Sequence, residues 1–330
     1  MTLLVTGGAG FIGSNWLRAH LARSDEAVVN VDALTLPGGR CNLAGLQGDA
    51  RHHFVHGDIC DCALVAALLA EHRPRALLHF AAETHVDRSI EDATPFVRSN
   101  VQGTFVLLDT ARAHWQTLPA NERAAFRFLH VSTDEVFGSL PEGAPPFTET
   151  SPYAPGNPYA ASKAASDHLV RAWFHTHGLP VLLTHSVNNH GGAQASDKFI
   201  PRLVACALAG ELLPIYGDGA QRRDWIDVRD HGRALNVVLA QGTVGESYVI
   251  GARDEHSNLQ VAQAVCDTLD QLRPDARGPY RRLISFVADR PGHDRRYAVD
   301  PAKLECATGW RPQHRFESAL RDTLHALLPS

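Results

Sequence analysis

A chain of 330 residues, 44% hydrophobic and 20% charged, has the composition of a folded globular protein and the length of one large or two coupled domains. Its formal net charge of −5, with no run of Lys or Arg, excludes the electrostatic footprint of a nucleic-acid binder or of a protein held on an anionic membrane surface. No stretch of about 18 apolar residues offers a membrane span, and the opening Met1-Thr-Leu-Leu-Val-Thr6 reads as a strand and not as a leader, so a cytoplasmic location is expected.

Short apolar runs at residues 3–6, 27–31, 53–56, 76–80, 127–132 and 181–185 predict strands, several of them apolar on both parities. Helical patterns at 11–22, 62–71, 94–115 and 159–176 fall between them, which is the alternation of βαβ units and a parallel sheet covered on both faces. Beyond about Asn188 the pieces shorten: helices near 198–209, 231–239 and 259–272, and strands at 213–216 and 247–250. Residues 1–187 therefore read mainly as one α/β domain, to which the motifs below assign dinucleotide binding, and 188–330 mainly as a smaller lobe for the substrate, with the chain crossing between the two. Six scattered cysteines, Cys41, Cys60, Cys62, Cys206, Cys266 and Cys306, read as reduced, mostly buried thiols. Cys60 and Cys62 lack a second ligand pair at zinc-site spacing, and no metal is expected.

Gly7-Gly-Ala-Gly10-Phe11-Ile12-Gly13 follows the first strand and opens the first helix, the context in which a glycine pattern acquires a mechanism. Gly7 makes the tight turn, Gly10 admits a pyrophosphate to the backbone, and Gly13 lets helix and strand approach, with the anion on the helix N-terminus. Asp32 closes the second strand, where a carboxylate accepts from ribose hydroxyls and repels a 2′-phosphate, favouring NAD over NADP. Asp58, after the third strand, either holds the adenine edge or is a solvated turn aspartate. Tyr159 and Lys163 stand four residues apart at a helix start, one strand and one loop after His130-Val-Ser-Thr-Asp-Glu-Val-Phe-Gly138. That spacing puts a phenol and an ammonium on one face, where the cation is expected to lower the phenol's pKa.

These stretches, together with Ala81-Ala-Glu-Thr-His-Val-Asp-Arg-Ser89, Asn100-Val-Gln-Gly-Thr104, Leu213-Pro-Ile-Tyr-Gly217 and Asp289-Arg-Pro-Gly-His-Asp294, carry a resemblance over nearly the whole chain. The chain resembles the extended short-chain dehydrogenase/reductase family and, within it, the dTDP-glucose 4,6-dehydratases, with Thr133-Asp134-Glu135 as the discriminating triplet. The fold this implies is α/β, a Rossmann-type doubly wound parallel sheet with a smaller C-terminal α/β lobe. The resemblance implies NAD as a recycled cofactor, lined by Gly7, Gly10, Phe11, Ile12, Gly13, Asp32, Leu34, Asp58, Ile59, Ala81, Ala82, Ser132, Tyr159 and Lys163. It also implies a homodimer formed through the 94–115 and 159–176 helices.

By the same resemblance Tyr159 takes the proton of the sugar 4-hydroxyl as hydride leaves C4, Lys163 holds the nicotinamide ribose, and Thr133 bonds the 4-oxygen. Glu135 then removes the C5 proton and a protonated Asp134 gives its proton to the departing 6-hydroxyl, which requires the two acids to have different environments. Asn188, Lys198, Pro214, Tyr216, Arg223 and His293 would line the nucleotide-sugar site, with His85, Asp87 and Arg88 over the sugar and pyrophosphate. Arg222, Arg290 and Arg296 are further candidate cations for the diphosphate.

Val187-Asn-Asn-His-Gly-Gly-Ala-Gln194 departs from the Ser-Asn-Asn-Tyr-Gly-Pro-Tyr-Gln of such enzymes. The change either removes aromatic bulk beside the sugar pocket or is drift in a tolerant loop. Other readings are a 4,6-dehydratase or 4-epimerase of a UDP sugar, and a catalytically idle protein that binds NAD or a nucleotide sugar.

Overall fold

A computed structural model describes residues 1–36, 38–289 and 292–328. The six apolar runs of the first half form β1 (Thr2–Thr6), β2 (Ala27–Asp32), β3 (His52–His56), β4 (Ala76–His79), β5 (Arg127–Thr133) and β6 (Val181–Ser186). Later strands are β7 (Asn188–His190), β8 (Leu213–Tyr216), β9 (Arg222–Asp227), β10 (Ser247–Ile250), β11 (Glu255–Ser257), β12 (Ile284–Val287) and β13 (Arg296–Tyr297). The main sheet has seven parallel strands in the order β10-β6-β5-β4-β1-β2-β3. The chain is thus a Rossmann-type doubly wound α/β protein, and its strand order reverses between β1 and β4, where a crevice opens at the carboxyl ends of the strands.

Alternation along β1 shows why both faces had to be apolar. Leu3 and Val5 enter one core with Trp16, Leu17, Leu235 and Val238, while Leu4 enters the other with Leu69, Leu107 and Phe128. The helix Phe11–Leu21 packs with Val228–Gln241 on the first face, and Cys62–His72, Thr104–Thr117 and Pro158–His177 cover the second. Strand β10 was read as part of the later, irregular region; it completes the large sheet by pairing with β6, Val249 opposite His185. A third core of Ile200, Val204, Trp225, Val265 and Phe316 holds the smaller lobe, whose strands form the sets β11-β9-β13, with β7 on β9, and β12-β8.

The single helix expected over 94–115 is three pieces: Thr94–Phe96, a π-helical segment Val97–Gly103, and Thr104–Thr117. The widened turn presents Asn100 inward, where its Oδ1 accepts from Glu83 N at 2.9 Å and its Nδ2 donates to Glu83 O at 3.0 Å and Ser162 Oγ at 2.9 Å. A π segment inside a helix commonly marks such a local demand. The cysteines need correction: Cys266 is buried, but Cys41, Cys62 and Cys306 are exposed and Cys60 and Cys206 are half-buried. Among the described residues, no helix is long and apolar enough to cross a membrane.

Candidate active site

At the crevice, Gly7 adopts φ +74°, and a Cβ there would fall 2.4 Å from Ala81 N on the neighbouring strand end. A Cβ on Gly13 would fall 2.4 Å from Gly7 O, so the turn and the helix it opens close only on glycine. Gly10 caps the helix Phe11–Leu21 in an extended conformation with no side-chain cap, leaving the first-turn N–H groups directed outward for an anion. Asp32 is held by Ala9 N on Oδ2 (2.9 Å) and Leu34 N on Oδ1 (2.8 Å), and burial raises its pKa. These features border a cavity of about 600 Å³, large enough for a dinucleotide, so the residues present fit NAD.

Gly7, Gly10, Phe11, Ile12, Gly13, Asp32, Asp58, Ile59, Ala81, Ala82, Ser132, Tyr159 and Lys163 all line this cavity. Leu34 does not: it turns through φ +56° and contributes its backbone N–H to Asp32, while Thr35 and Leu36 provide the wall. Asp58 faces the cavity paired with Arg98 at 2.6 Å, a partner that lies forty residues along the chain and that spacing did not reveal.

The end of β5 organises the reactive groups. Thr133 Oγ1 accepts from Glu135 N at 3.3 Å and so caps the short 3₁₀ turn Asp134–Phe137. That turn sends Asp134 inward, 1% exposed, and leaves Glu135 half-buried at the edge of both cavities. Burial first, and then the charge of Glu135, hold the Asp134 carboxyl well above the usual carboxylate range. Its Oδ2 is buried without a hydrogen-bond partner among the described residues. Both observations describe a carboxyl group whose neutral form is favoured by its surroundings.

Tyr159 and Lys163 lie on the buried face of the helix Pro158–His177, 8% and 3% exposed. The phenol shares a hydrogen bond with Thr133, but burial and the Glu135 charge push its pKa up. The expected acidification by Lys163 is therefore not produced by the protein's own groups. The ammonium instead donates to Val131 O at 2.9 Å, and burial lowers its pKa to about 8.

A second cavity of about 230 Å³ continues from the first through Thr84, Glu135, Asn188 and Lys198. His85, Asp87, Asn188, Lys198, Pro214, Tyr216, Arg223 and His293 line it. Arg88 does not; it pairs with Asp197 at 3.3 Å. Arg222 and Arg296 are both bound to Glu255, at 3.6 and 2.7 Å, away from the cavity, and Arg290 lies outside the described residues. The walls missed in the sequence include Arg202, Trp225, Asn258 and Tyr297, with the Arg223 guanidinium 4.3 Å over the Tyr297 ring. They arrive from separated segments that carry no local signal.

The departing 187–194 segment is divided between the cofactor cavity and the protein interior. His190 is 1% exposed and points away from both cavities, with Nδ1 3.0 Å from Thr323 Oγ1 and its ring against Phe316. Thr323 spends its own proton on Ala319 O, so His190 Nδ1–H is the donor. Burial lowers this imidazole to about 4, leaving it neutral. Only Asn188, Asn189, Ala193 and Gln194 beyond Val187 reach the cofactor cavity, and Asn15 Nδ2 ties Gly192 O to the first helix at 2.9 Å.

Comparison with known proteins agrees with this geometry. The family model for GDP-mannose 4,6 dehydratase matches residues 4–323. The dTDP-glucose 4,6-dehydratase of Xanthomonas campestris pv. campestris (strain B100) is 56% identical over 324 residues, 98% of this chain and 92% of that one. The dTDP-glucose 4,6-dehydratase 1 of Escherichia coli (strain K12) is 49% identical, with 98% of this chain and 92% of that one covered. Among solved structures, DesIV, a dTDP-glucose 4,6-dehydratase from Streptomyces venezuelae with NAD and TYD bound, superposes with a TM-score of 0.89 at 44% identity, covering 99% of this chain and 96% of that one.

Proposed function

Because the chain belongs to the GDP-mannose 4,6 dehydratase family and its near relatives are dTDP-glucose 4,6-dehydratases, we propose that it converts dTDP-glucose to the 4-keto-6-deoxy sugar with NAD as a catalytic cofactor. The observation that carries this reading is the adjacent acid pair, with Asp134 buried and its carboxyl held well above the usual carboxylate range, and Glu135 open to both cavities.

When bound, NAD supplies the acceptor for the hydride of the sugar C4 and gives it back at C6. Tyr159 takes the proton of the 4-hydroxyl as a phenolate, the form that the positive charge of a bound nicotinamide would favour against the burial that raises its pKa, and Thr133, already in contact with that phenol, holds the 4-oxygen. A carbonyl at C4 makes the C5 proton acidic, and Glu135 removes it. Asp134 gives its proton to the 6-hydroxyl, which leaves as water. The protonated Glu135 is then placed to return a proton to C5. Arg223, Lys198 and His293 supply positive charge and donors for the diphosphate.

A homodimer through the helices Thr104–Thr117 and Pro158–His177 belongs to the same proposal. Phe105 and Val97 beside that pair are 44% and 55% exposed, which supports a covered face. The exposed thiols Cys41, Cys62 and Cys306 suit a reducing cytoplasm.

The test is incubation with dTDP-glucose, with UDP-glucose in parallel. Appearance of the alkali-induced absorbance of a 4-keto-6-deoxy product from dTDP-glucose, without net NADH, is expected. Preference for the UDP sugar, or stoichiometric NADH release, would overturn the reading.

A further inference from the structure

The roles assigned above leave one buried charged group without a function. Asp167 follows Lys163 by four residues on the helix Pro158–His177 and is 0% exposed. Its Oδ2 is saturated, accepting from Ser132 Oγ at 2.9 Å, Tyr153 OH at 3.1 Å and His185 Nε2 at 3.1 Å. Its Oδ1 faces His130 Nε2 at 3.3 Å, and that same nitrogen lies 3.4 Å from Lys163 Nζ. His130 Nδ1 is buried with no partner, so it is best read as the bare lone pair, with the ring proton on Nε2. Ser166 Oγ accepts from that nitrogen at 3.1 Å, since its own proton goes to Lys163 O at 2.7 Å.

An ammonium as enclosed as Lys163 needs a compensating negative charge or it sheds its proton. Facing it are His79 from β4, His130 from β5, and Tyr159 and Asp167 from its own helix. Behind Asp167 stand His185 on β6 and Arg171, which reaches Tyr153 OH at 3.4 Å. Beyond Tyr159 are Asp134 and Glu135. Burial keeps His79 and His130 neutral at ordinary pH. Burial alone would raise Asp167, yet the His130 ring facing Oδ1 at 3.3 Å and the bond from His185 to Oδ2 hold it well below the usual carboxylate range.

We infer that Asp167 is a positioning residue: it is the buried counter-charge that keeps Lys163 protonated and fixed against Val131 O, with His130 as the spacer between them. Its consequence for catalysis rests on the assignment of Lys163 to the nicotinamide ribose, but the inference itself concerns the amine and is tested there.

The sequence has three lysines, Lys163, Lys198 and Lys303, so protein carrying ε-¹³C-lysine gives three side-chain signals to follow by NMR as pH is raised. The Lys163 signal is the one missing from Lys163→Met. Lys303, paired with Glu246 at 2.7 Å on the surface, is the internal reference. In Asp167→Asn the Lys163 midpoint should fall by about one pH unit or more, with Lys303 unmoved, and the alkaline limb of turnover should shift the same way. A folded Asp167→Asn protein with an unmoved Lys163 midpoint overturns the inference, whatever the substrate proves to be. Should Asp167→Asn not fold, the double variant with Lys163→Met decides. Recovery of the folded state supports mutual compensation of the two charges, and a double variant that also fails to fold overturns it.

Discussion

Asp134→Asn should make the protein slower and more stable at once. The substitution keeps the shape of a protonated carboxyl but has no proton to give, so turnover should fall by about 10²- to 10⁴-fold, the usual worth of a general acid. Stability follows from linkage. Burial and the Glu135 charge raise the folded-state pKa of Asp134. Above the ordinary carboxylate value, the unfolded chain has therefore released a proton that the folded chain still holds. Stability then declines with rising pH by about 1.4 kcal/mol for each pH unit traversed, and levels off only above the folded-state value. Asparagine does not titrate, so this decline vanishes in the variant. Urea unfolding of both proteins at pH 5 and pH 7 should show the variant's midpoint advantage growing with pH, at an unchanged slope against urea. The reasoning is refuted if the separation is the same at both pH values, or if the variant dehydrates dTDP-glucose at the parent rate.

Other expectations concern separate parts of the site. Glu135→Gln should lose about 10²- to 10⁴-fold in product formation and should no longer exchange the sugar C5 hydrogen with deuterated solvent; undiminished exchange would return Glu135 to the role of a bystander. The parent protein should purify with NAD bound, measurable in the acid supernatant. Gly7→Ala should lose that NAD, because its methyl meets Ala81 N at 2.4 Å and its backbone must hold a left-handed conformation that costs about 1–2 kcal/mol. His190→Tyr should lower stability by about 1–3 kcal/mol through overpacking against Phe316, with the dTDP-to-UDP preference unchanged; a changed preference would place residue 190 back at the substrate.

The parts of this protein legible in its sequence are those in which one short segment holds the whole physical requirement. The turn Gly7 to Gly13 needs only its own glycines and the strand and helix on either side, and Tyr159 and Lys163 need only helical spacing. The triplet at Thr133 was readable as chemistry, but the 3₁₀ turn that buries Asp134 and turns Glu135 outward was not, since it depends on the cap made by Thr133. Residue 190 was left open between two readings for a similar reason. Asn188, two positions earlier in β7, was read as a pocket residue, while the direction of the His190 side chain is set by Thr323 and Phe316, more than a hundred residues away. The Asp167 cluster gave no signal at all: Ser132, Tyr153, Asp167 and His185 meet only once β5, β6 and the helix Pro158–His177 are assembled.

The parallel pairing of β10 with β6 has a consequence for how the molecule is made. All six residues of β6 are buried, yet until residue 250 has left the ribosome the strand has no neighbour on its outer side. The nascent first half is therefore an open template for any extended segment nearby, including one from another ribosome on the same message. A fragment ending at residue 187 should be insoluble when expressed alone. It should be rescued by residues 188–330 supplied in the same cell, and a soluble fragment 1–187 would show that the edge is protected in some other way. The sheet that carries the glycine turn can be completed only after three quarters of the protein has been translated.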